Sequence, residues 1–238
     1  MPNSQHITSA FDRDLEAVQA QIMKMGGLVE AATLDCARAL EDRDEDLARR
    51  IVAADAAIDA LETAVNEETA RLIALRGPIA GDLRTALTVL KIAGSLERMG
   101  DYAKNVAKRS TVLAQSPAIG ETAGTVRRMS KLVEQMLKDA LDAYVRRDAA
   151  LATDVRLRDK DVDQIYNALF RILLTYMLED PRSITNCMHL HFIAKNMERM
   201  GDHATSIAEQ VIYLVTGELP DDARPKGDST AFVASAKD

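Results

Sequence analysis

The residues of this sequence whose types and spacing could support chemistry are four pairs of acidic residues, each spaced i and i+4. On a helix, this spacing places both carboxylates on one face about 6 Å apart, where like charges repel. An all-oxygen set favours magnesium, manganese, iron or calcium over copper. The spacing alone is a weak indicator, because 37 acids in 238 residues give about six such pairs by chance. The pairs are Asp55/Asp59, Glu97/Asp101, Asp159/Asp163 and Glu198/Asp202.

The pairs gain weight because they occupy equivalent places in a duplicated sequence. Residues 25–59 and 129–163 share 12 identities in 35 positions at a constant shift, where about two are expected by chance. The motif E-R-M-G-D then recurs intact at 97–101 and 198–202. A common helical composition explains matched Leu and Ala but not matched Asp and Glu. The sequence therefore predicts a duplicated structural unit.

The elements that hold these acids are predicted to be helices. Apolar residues recur in steps of four and three through three long segments in each repeat, which is typical of bundle helices. Aromatic residues are few, and the 11 Gly and 6 Pro are fewer than a many-stranded fold needs. We predict an all-α protein of two tandem three-helix bundles. The predicted ranges are 8–114 and 122–215, with a flexible acidic tail at 216–238.

Antiparallel packing within each bundle would bring its four acids together. The helical wheel places Asp55/Asp59 on the flank of their apolar stripe and Glu97/Asp101 well away from the main stripe of their helix. The two pairs therefore approach each other if the two helices are neighbours. Without cations, each like-charge pair at 6 Å costs about 2–3 kcal/mol. The structural alternative is a solvated acidic face that nearby arginines neutralise. No Glu-x-x-His occurs in the sequence, which removes the signature of a ferritin-like di-iron oxidase.

Several other residues have ordinary structural explanations beside functional ones. His189 and His191 are close in sequence to the second acidic pairs, but a packed or partly exposed histidine is commoner than a ligand. Gly100 and Gly201 cost about 1 kcal/mol each inside a helix, which indicates close packing or backbone clearance for a metal. Arginines near the Pro breaks form either a basic spot for an acidic partner or ordinary surface charges: Arg76, Arg84 and Arg182.

Composition and charge argue against several other classes of protein. The net charge of −7 and the pI near 5.2 argue against nucleic acid or an anionic membrane as the main partner. Cys36 and Cys187 are too few for a disulfide framework or a zinc site, and we expect reduced, buried thiols in a cytosolic protein. The N-terminus lacks a signal-peptide pattern. The longest apolar stretch contains Arg171 and is too short to span a bilayer.

The repeated segments resemble the PhoU family of phosphate-uptake regulators. The resemblance is carried by SLERMGDYAKNVAK and NMERMGDHATSIAEQVIYLVTGE, with VAADAAIDALE and VRLRDKDVDQIY upstream, and it covers residues 8–217. It implies a pair of three-helix bundles whose acid-x-x-x-acid motifs bind multinuclear metal clusters. The sequence leaves the metal open among iron, manganese, magnesium and zinc. The implied ligands are Asp55, Asp59, Glu97, Asp101, Asp159, Asp163, Glu198 and Asp202.

The resemblance also implies an adaptor function. PhoU-like proteins link the ATPase of the phosphate ABC transporter to the sensor histidine kinase of the phosphate-starvation response, and they restrain signalling and uptake when phosphate is plentiful. This implies a cytoplasmic protein, often a homodimer, that reaches the membrane only through its partners and has no enzymatic turnover. Two alternatives stay open from the residues alone. One is a metal-dependent enzyme, and the other is a structural bundle whose acids bind no metal.

Overall fold

The computed structural model describes residues 3–220, with side chains from residue 11 onward. Six long helices account for nearly all of this range, and no strand occurs within it, so the all-α prediction is confirmed. A short 3₁₀ turn, Pro181–Ser183, precedes the last helix. The helices are α1 (Asn3–Asp42), α2 (Glu45–Arg76), α3 (Gly81–Ala114), α4 (Thr122–Arg146), α5 (Ala149–Glu179) and α6 (Ile184–Thr216).

An Arg-Asp dipeptide forms the first turn of each repeat. Arg43 and Arg147 both adopt the left-handed backbone conformation, with φ of 56° and 52°. The next residues, Asp44 and Asp148, cap the following helix through their side chains. In each case the carboxylate accepts a hydrogen bond from the backbone N–H three residues later, at 2.8 and 3.0 Å. Such capping ends one helix and starts the next, so the duplicated sequence folds locally in the same way twice.

Four helices form the centre of the molecule. α1 packs against α3 and α4, and α6 packs against the same two helices. α2 lies against α1 and α3, and α5 lies against α4 and α6, so each repeat is a three-helix bundle. One continuous apolar core runs through both bundles. The two repeats therefore share a core, because the apolar faces of α1, α3, α4 and α6 are covered only when the bundles pack together.

The α3 and α6 helices run antiparallel along their shared seam. Arg84, near the start of α3, lies over the ring of Tyr213 near the end of α6. Arg109, near the end of α3, lies over Phe192 in the first half of α6. Tyr102 and His203, which directly follow the two E-R-M-G-D motifs, meet near the middle, with ring centroids 5.7 Å apart. The motifs are thus related by an approximate two-fold axis through this seam.

The arginines near the Pro breaks do not form one basic spot, which was one of the two alternatives left open by the sequence. Arg76 pairs with Asp14 at 2.9 Å, and Arg182 pairs with Asp180 at 2.9 Å. Arg84 lies beside the end of α6, whereas Arg182 precedes its start. A helix of 33 residues is about 50 Å long. The interpretation of Arg76, Arg84 and Arg182 as one site is therefore wrong, because the two Pro breaks lie at opposite ends of the molecule.

The ends of the helices can be set beside the predicted boundaries. α1 begins at Asn3, five residues before the start that the sequence predicted for the first repeat. The linker falls between Ala114 and Thr122. Gly217, with φ of 88°, caps α6. The greater part of the predicted tail, residues 221–238, lies outside the described residues.

The burial of both cysteines agrees with the sequence-based expectation. Cys36 and Cys187 are fully buried and form no disulfide. Burial raises the pKa of the Cys36 thiol, which makes it unreactive. Within residues 3–220, none of the helices has the length and apolar content that crossing a bilayer requires.

Candidate functional site

The four acids of the first repeat lie together in the groove between α2 and α3, and we call them cluster one: Asp55, Asp59, Glu97 and Asp101. Lys104 on α3 joins the two helices there. Its Nζ donates a hydrogen bond to Asp55 on α2 and another, of 2.6 Å, to Asp101 on its own helix. The Asp55 side chain is 6% exposed, whereas Asp59 is exposed at the edge of the groove. Cluster one is therefore buried at one side and open to solvent at the other.

Loss of hydration, with a smaller contribution from charge repulsion, raises the pKa of two carboxyl groups in cluster one. Loss of hydration is the main cause that raises the pKa of Asp59, and the charge of Asp55 adds to it. Burial likewise raises the pKa of Glu97, with a further contribution from Asp101. The pKa of the Lys104 ammonium is raised as well, because its hydrogen bonds to two carboxylates favour the charged form. The lysine therefore stays charged and offsets part of the repulsion.

The four acids of the second repeat lie in the groove between α5 and α6, and we call them cluster two: Asp159, Asp163, Glu198 and Asp202. Three of them are deeply buried, since Asp159, Asp163 and Glu198 expose only 2%, 4% and 6% of their surface. Burial is the largest cause that raises the pKa of Glu198, and the charges of Asp202 and Asp163 raise it further. Lys195 opposes this by donating a 2.8 Å hydrogen bond to Glu198 Oε1.

A glycine in each motif lets the paired helices approach closely at the clusters. A Cβ atom on Gly100 would lie 3.0 Å from Ile58 Cδ1 and 3.3 Å from Asp55 Oδ1 on α2. A Cβ on Gly201 would lie 3.4 Å from Val162 Cγ1 on α5. Close helix packing therefore accounts for Gly100, which is the first of the two explanations given above, whereas a Cβ at Gly201 would make ordinary contacts.

The donor set fits a hard metal ion, although the side chains are not gathered around one. Among residues 11–220, no three acidic, histidine or cysteine groups converge as they would around a bound ion. Two buried carboxylate oxygens, Asp55 Oδ1 and Glu198 Oε2, nevertheless have no hydrogen-bond partner. A buried carboxylate oxygen without a partner is costly, and a cation would satisfy it. Metal ligation by the eight acids stays a prediction.

Sequence reasoning missed three residues that shape the clusters. Lys104 follows Asp101 by three residues, and Lys195 precedes Glu198 by three, so both lie on the same helical face as a motif acid. Glu62, three residues after Asp59, adds negative charge to cluster one and contributes to the raised pKa values of Asp59 and Glu97. Each of the three lies three residues from a motif acid, and this spacing could have indicated them. Only the structure shows which groups they interact with.

Of the two histidines near cluster two, His191 is packed among aromatic rings and His189 lies beside an arginine. His191 lies 5.3 Å from Phe170 and 6.0 Å from Tyr166, measured between ring centroids. His189 Nδ1 lies 3.4 Å from a guanidinium nitrogen of Arg109 on α3. The interpretation of both as packed or partly exposed residues agrees with this structure. Neither histidine belongs to a group of three potential ligands within residues 11–220.

Comparison with known families gives the same duplication. A family model described as the PhoU domain matches residues 22–110 and again residues 126–211. This chain belongs to the PhoU family. Each PhoU match contains one E-R-M-G-D motif and the four acids of one cluster, so the internal repeat found in the sequence is a repeat of the family's own domain.

Relatives of the PhoU family match nearly the whole chain. The chain is 46% identical over 225 residues to a phosphate-specific transport system accessory protein PhoU homolog from Caulobacter vibrioides, covering 94% of this chain and 98% of the relative. A protein of the same name from Rhizobium meliloti is 44% identical over 233 residues, covering 98% of each chain.

Solved structures of PhoU proteins have the same fold. The crystal structure of PhoU from Pseudomonas aeruginosa has a TM-score of 0.85 and 41% identity, covering 87% of this chain and 100% of that one. The phosphate transport system regulatory protein PhoU from Streptococcus pneumoniae has a TM-score of 0.82 and 32% identity, covering 89% and 99%. The pair of three-helix bundles is thus an architecture that this chain shares with its family.

Proposed function

We propose that this protein is a negative regulator of the phosphate-starvation response and a modulator of phosphate uptake. It acts as a metal-binding adaptor between the ATPase of the phosphate ABC transporter and the sensor histidine kinase of that response. The main support is its near full-length relationship to proteins named phosphate-specific transport system accessory protein. In this proposal the protein works in the cytoplasm as a homodimer, by binding rather than by turnover.

The eight carboxylates of clusters one and two would hold the metal ions. Bound divalent or trivalent ions, whether iron, manganese, magnesium or zinc, would supply positive charge that offsets carboxylate repulsion and would tie α2 to α3 and α5 to α6. Asp55 Oδ1 and Glu198 Oε2 are buried acceptors with no other partner, so they are the first oxygens available. In cluster one, Lys104 competes for the same site, because Asp55 and Asp101 already accept its hydrogen bonds.

The metal-dependent part of the proposal concerns the charge of one molecular face. Both clusters lie in the outer grooves beside α3 and α6, on either side of the seam that joins the repeats. Asp59 is exposed there, and Glu97 and Asp101 are 23% and 29% exposed. Ion binding would therefore change the charge that a partner meets at this face. The helices themselves are held by the shared apolar core, so the ions are expected to tune the surface rather than to create the fold.

A deletion strain tests the regulatory function. The gene is deleted in its host, and a phosphate-starvation reporter is measured in high phosphate with and without complementation. We expect the reporter to stay on in the deletion strain and to be silenced by the restored gene. Normal repression in the deletion strain would overturn the proposal and favour a metal-dependent enzyme.

The adaptor and homodimer parts need direct measurements. Tagged full-length protein should retain the transporter ATPase and the kinase during purification, and light scattering after size exclusion should give twice the chain mass. A complementing strain that carries Glu97→Ala and Glu198→Ala shows whether the clusters are needed for repression. Glu67→Ala with Glu179→Ala is the matched control, because both of these acids are exposed and lie outside the clusters.

A further inference from the structure

The seam between α3 and α6 carries cations that rest on aromatic rings. At one end, the Arg84 guanidinium lies 5.5 Å and the Lys91 ammonium 6.0 Å from the ring centre of Tyr213. At the other end, the Arg109 guanidinium lies 4.4 Å from the ring centre of Phe192. In the middle, Arg199 lies 5.9 Å from the ring centre of Tyr102. Every one of these contacts joins α3 to α6.

We define the seam cations as Arg84, Lys91, Arg109 and Arg199. None of the four forms an ion pair with a carboxylate among residues 11–220, although Arg76, Arg127, Arg158 and other arginines of this acidic chain do. The positions along the seam follow the helical repeat in alternating steps of four and then three residues. They are 84, 88, 91, 95, 98, 102, 105 and 109 on α3, and 185, 189, 192, 196, 199, 203, 206, 210 and 213 on α6. None of these positions is Asp or Glu.

The dimensions of the seam fit one elongated partner segment. Arg84 and Arg109 are 25 residues apart on α3, which corresponds to about 37 Å along the helix. Apolar side chains are exposed beside the cations, since Leu87 is 41% and Phe192 43% exposed. A row of cations interleaved with exposed apolar groups is complementary to an amphipathic helix that presents acids and apolar side chains on one face.

The acidic clusters on both flanks restrict what else can bind. Cluster one lies on the far side of α3 and cluster two on the far side of α6, each one helix width, about 10 Å, from the seam. A flat anionic membrane would meet the exposed and half-buried carboxylates of the clusters together with the seam cations, and like charges would repel it. These carboxylates are Asp59, Glu97, Asp101 and Asp202. A single helix fits between the clusters. Shape and charge therefore favour a polypeptide over a lipid surface.

We infer that the α3–α6 seam is the docking site for an acidic amphipathic helix of a partner protein. The seam cations bind the carboxylates of that helix, and Leu87 and Phe192 contact its apolar side chains. The rings hold the cations in place before binding, so little side-chain freedom is lost when the partner arrives. This inference rests on the proposed adaptor function, because it names the surface that a partner would use.

The test compares two fourfold variants of the full-length protein. The seam variant carries Arg84→Gln, Lys91→Gln, Arg109→Gln and Arg199→Gln. The control variant removes the same charges from exposed residues elsewhere: Arg50→Gln, Arg71→Gln, Lys131→Gln and Arg171→Gln. Fluorescence anisotropy measures binding of a labelled 25-residue helical peptide rich in Glu and Leu, and sedimentation measures binding to vesicles of phosphatidylserine and phosphatidylcholine. Retention of the purified transporter ATPase and kinase is measured in parallel.

We expect the seam variant to bind the acidic peptide at least tenfold more weakly and the control variant to lose less than twofold. Equal losses in both variants, or no peptide binding by the parent protein, would overturn the inference. Vesicle binding that depends on the seam cations while peptide binding does not would also overturn it, in favour of a lipid partner. Circular dichroism checks folding, and the double variants Arg84→Gln/Lys91→Gln and Arg109→Gln/Arg199→Gln replace the fourfold variant if it unfolds.

The parallel retention assay separates this inference from the proposed function. If the parent protein retains neither the ATPase nor the kinase, the adaptor function fails, while the peptide assay still decides whether the seam binds an acidic helix. If the parent retains a partner and the seam variant retains it equally well, the adaptor function stands and the seam is not the docking site.

Discussion

Clusters one and two occupy equivalent places in the two repeats but balance their charges differently. In cluster one, Lys104 bridges α3 to Asp55 on α2, and only Asp55 is buried, since Asp59 is exposed and Glu97 and Asp101 are half-buried. In cluster two, Lys195 bonds Glu198 on its own helix, while three acids are almost completely buried. The two lysines are not equivalent in the repeat alignment. The backbone and the acids were thus duplicated together, whereas the cation that accompanies them differs between the halves.

The residues around the two clusters also make cluster one the more negative of the two. Glu62 adds a further negative charge beside cluster one. Its equivalent beside cluster two is Tyr166, whose ring contacts His191 and the Lys195 ammonium, 5.0 Å from the ring centre. Cluster one is the more exposed and more negative site, and cluster two is the more buried site. We therefore expect exchangeable ion binding at cluster one and stronger dependence on protonation at cluster two.

The largest expected effect is the loss of bound metal when a cluster loses its glutamate. Glu97→Ala and Glu198→Ala should each release the ions of one cluster, about half of the total, and the double variant should lose most of the metal because ligation needs the full carboxylate set. Elemental analysis after dialysis measures this, and circular dichroism should show nearly unchanged helicity. Unchanged metal content in the double variant would reject the ligand assignment.

The lysines should differ in their contribution to stability in the metal-free protein. Lys104→Met leaves the buried Asp55 carboxylate without its cation and is expected to cost about 2–3 kcal/mol. Lys195→Met should cost about 1 kcal/mol, because burial already raises the pKa of Glu198 and lets this group take up a proton instead. Urea unfolding in EDTA gives both values. Lys108→Met is the exposed control, and equal losses at Lys104 and Lys195 would contradict the comparison.

The motif glycines test how tightly each pair of helices packs. Gly201→Ala should be neutral or stabilising by up to about 1 kcal/mol, since Ala favours helix and the new Cβ makes ordinary contacts. Gly100→Ala should be less stable than Gly201→Ala by about 1–2 kcal/mol, because its Cβ would crowd Ile58 and Asp55. Gly94→Ala is the control, with no atom within 4 Å of the new Cβ. Thermal unfolding that ranks Gly100→Ala above Gly201→Ala would contradict this prediction.

The smallest expected effect is on pH dependence. Burial raises the pKa of Glu198 in the folded protein above its ordinary value of 4.5, so the folded state binds more protons there than the unfolded state. The contribution of this group to stability therefore falls as pH rises from about 4.5 through the raised pKa. Glu198→Gln should increase stability at pH 7 and have little effect at pH 4.

Urea midpoints at the two pH values measure this effect. Glu97→Gln is the matched variant in cluster one and should show the same trend more weakly, because Glu97 is more exposed. A larger pH-dependent gain in stability from Glu97→Gln than from Glu198→Gln would contradict the proposed difference between the exposed cluster one and the buried cluster two.

Much of the fold was predictable because its determinants are local. Apolar spacing marks the helices, and the Arg-Asp pairs at 43–44 and 147–148 give the same capped turn twice. The matched acids indicated two clusters, and antiparallel helices joined by short turns bring such acids together. The sequence could not decide whether Arg76, Arg84 and Arg182 form one site, because the relative direction of α3 and α6 depends on packing between repeats, which leaves no local pattern.

By itself, the sequence determined the helices, the duplication, the turns and the eight acids, because each depends on residues within a few turns of one another. Tertiary structure alone decided that Lys104 bridges α2 and α3, that cluster two is buried while cluster one is open, and that cations on α3 and α6 share one seam. These features depend on which side chains meet across helices and on how far those side chains are exposed to solvent. Burial and charge pairing are properties of the packed molecule, so only the tertiary structure determines them.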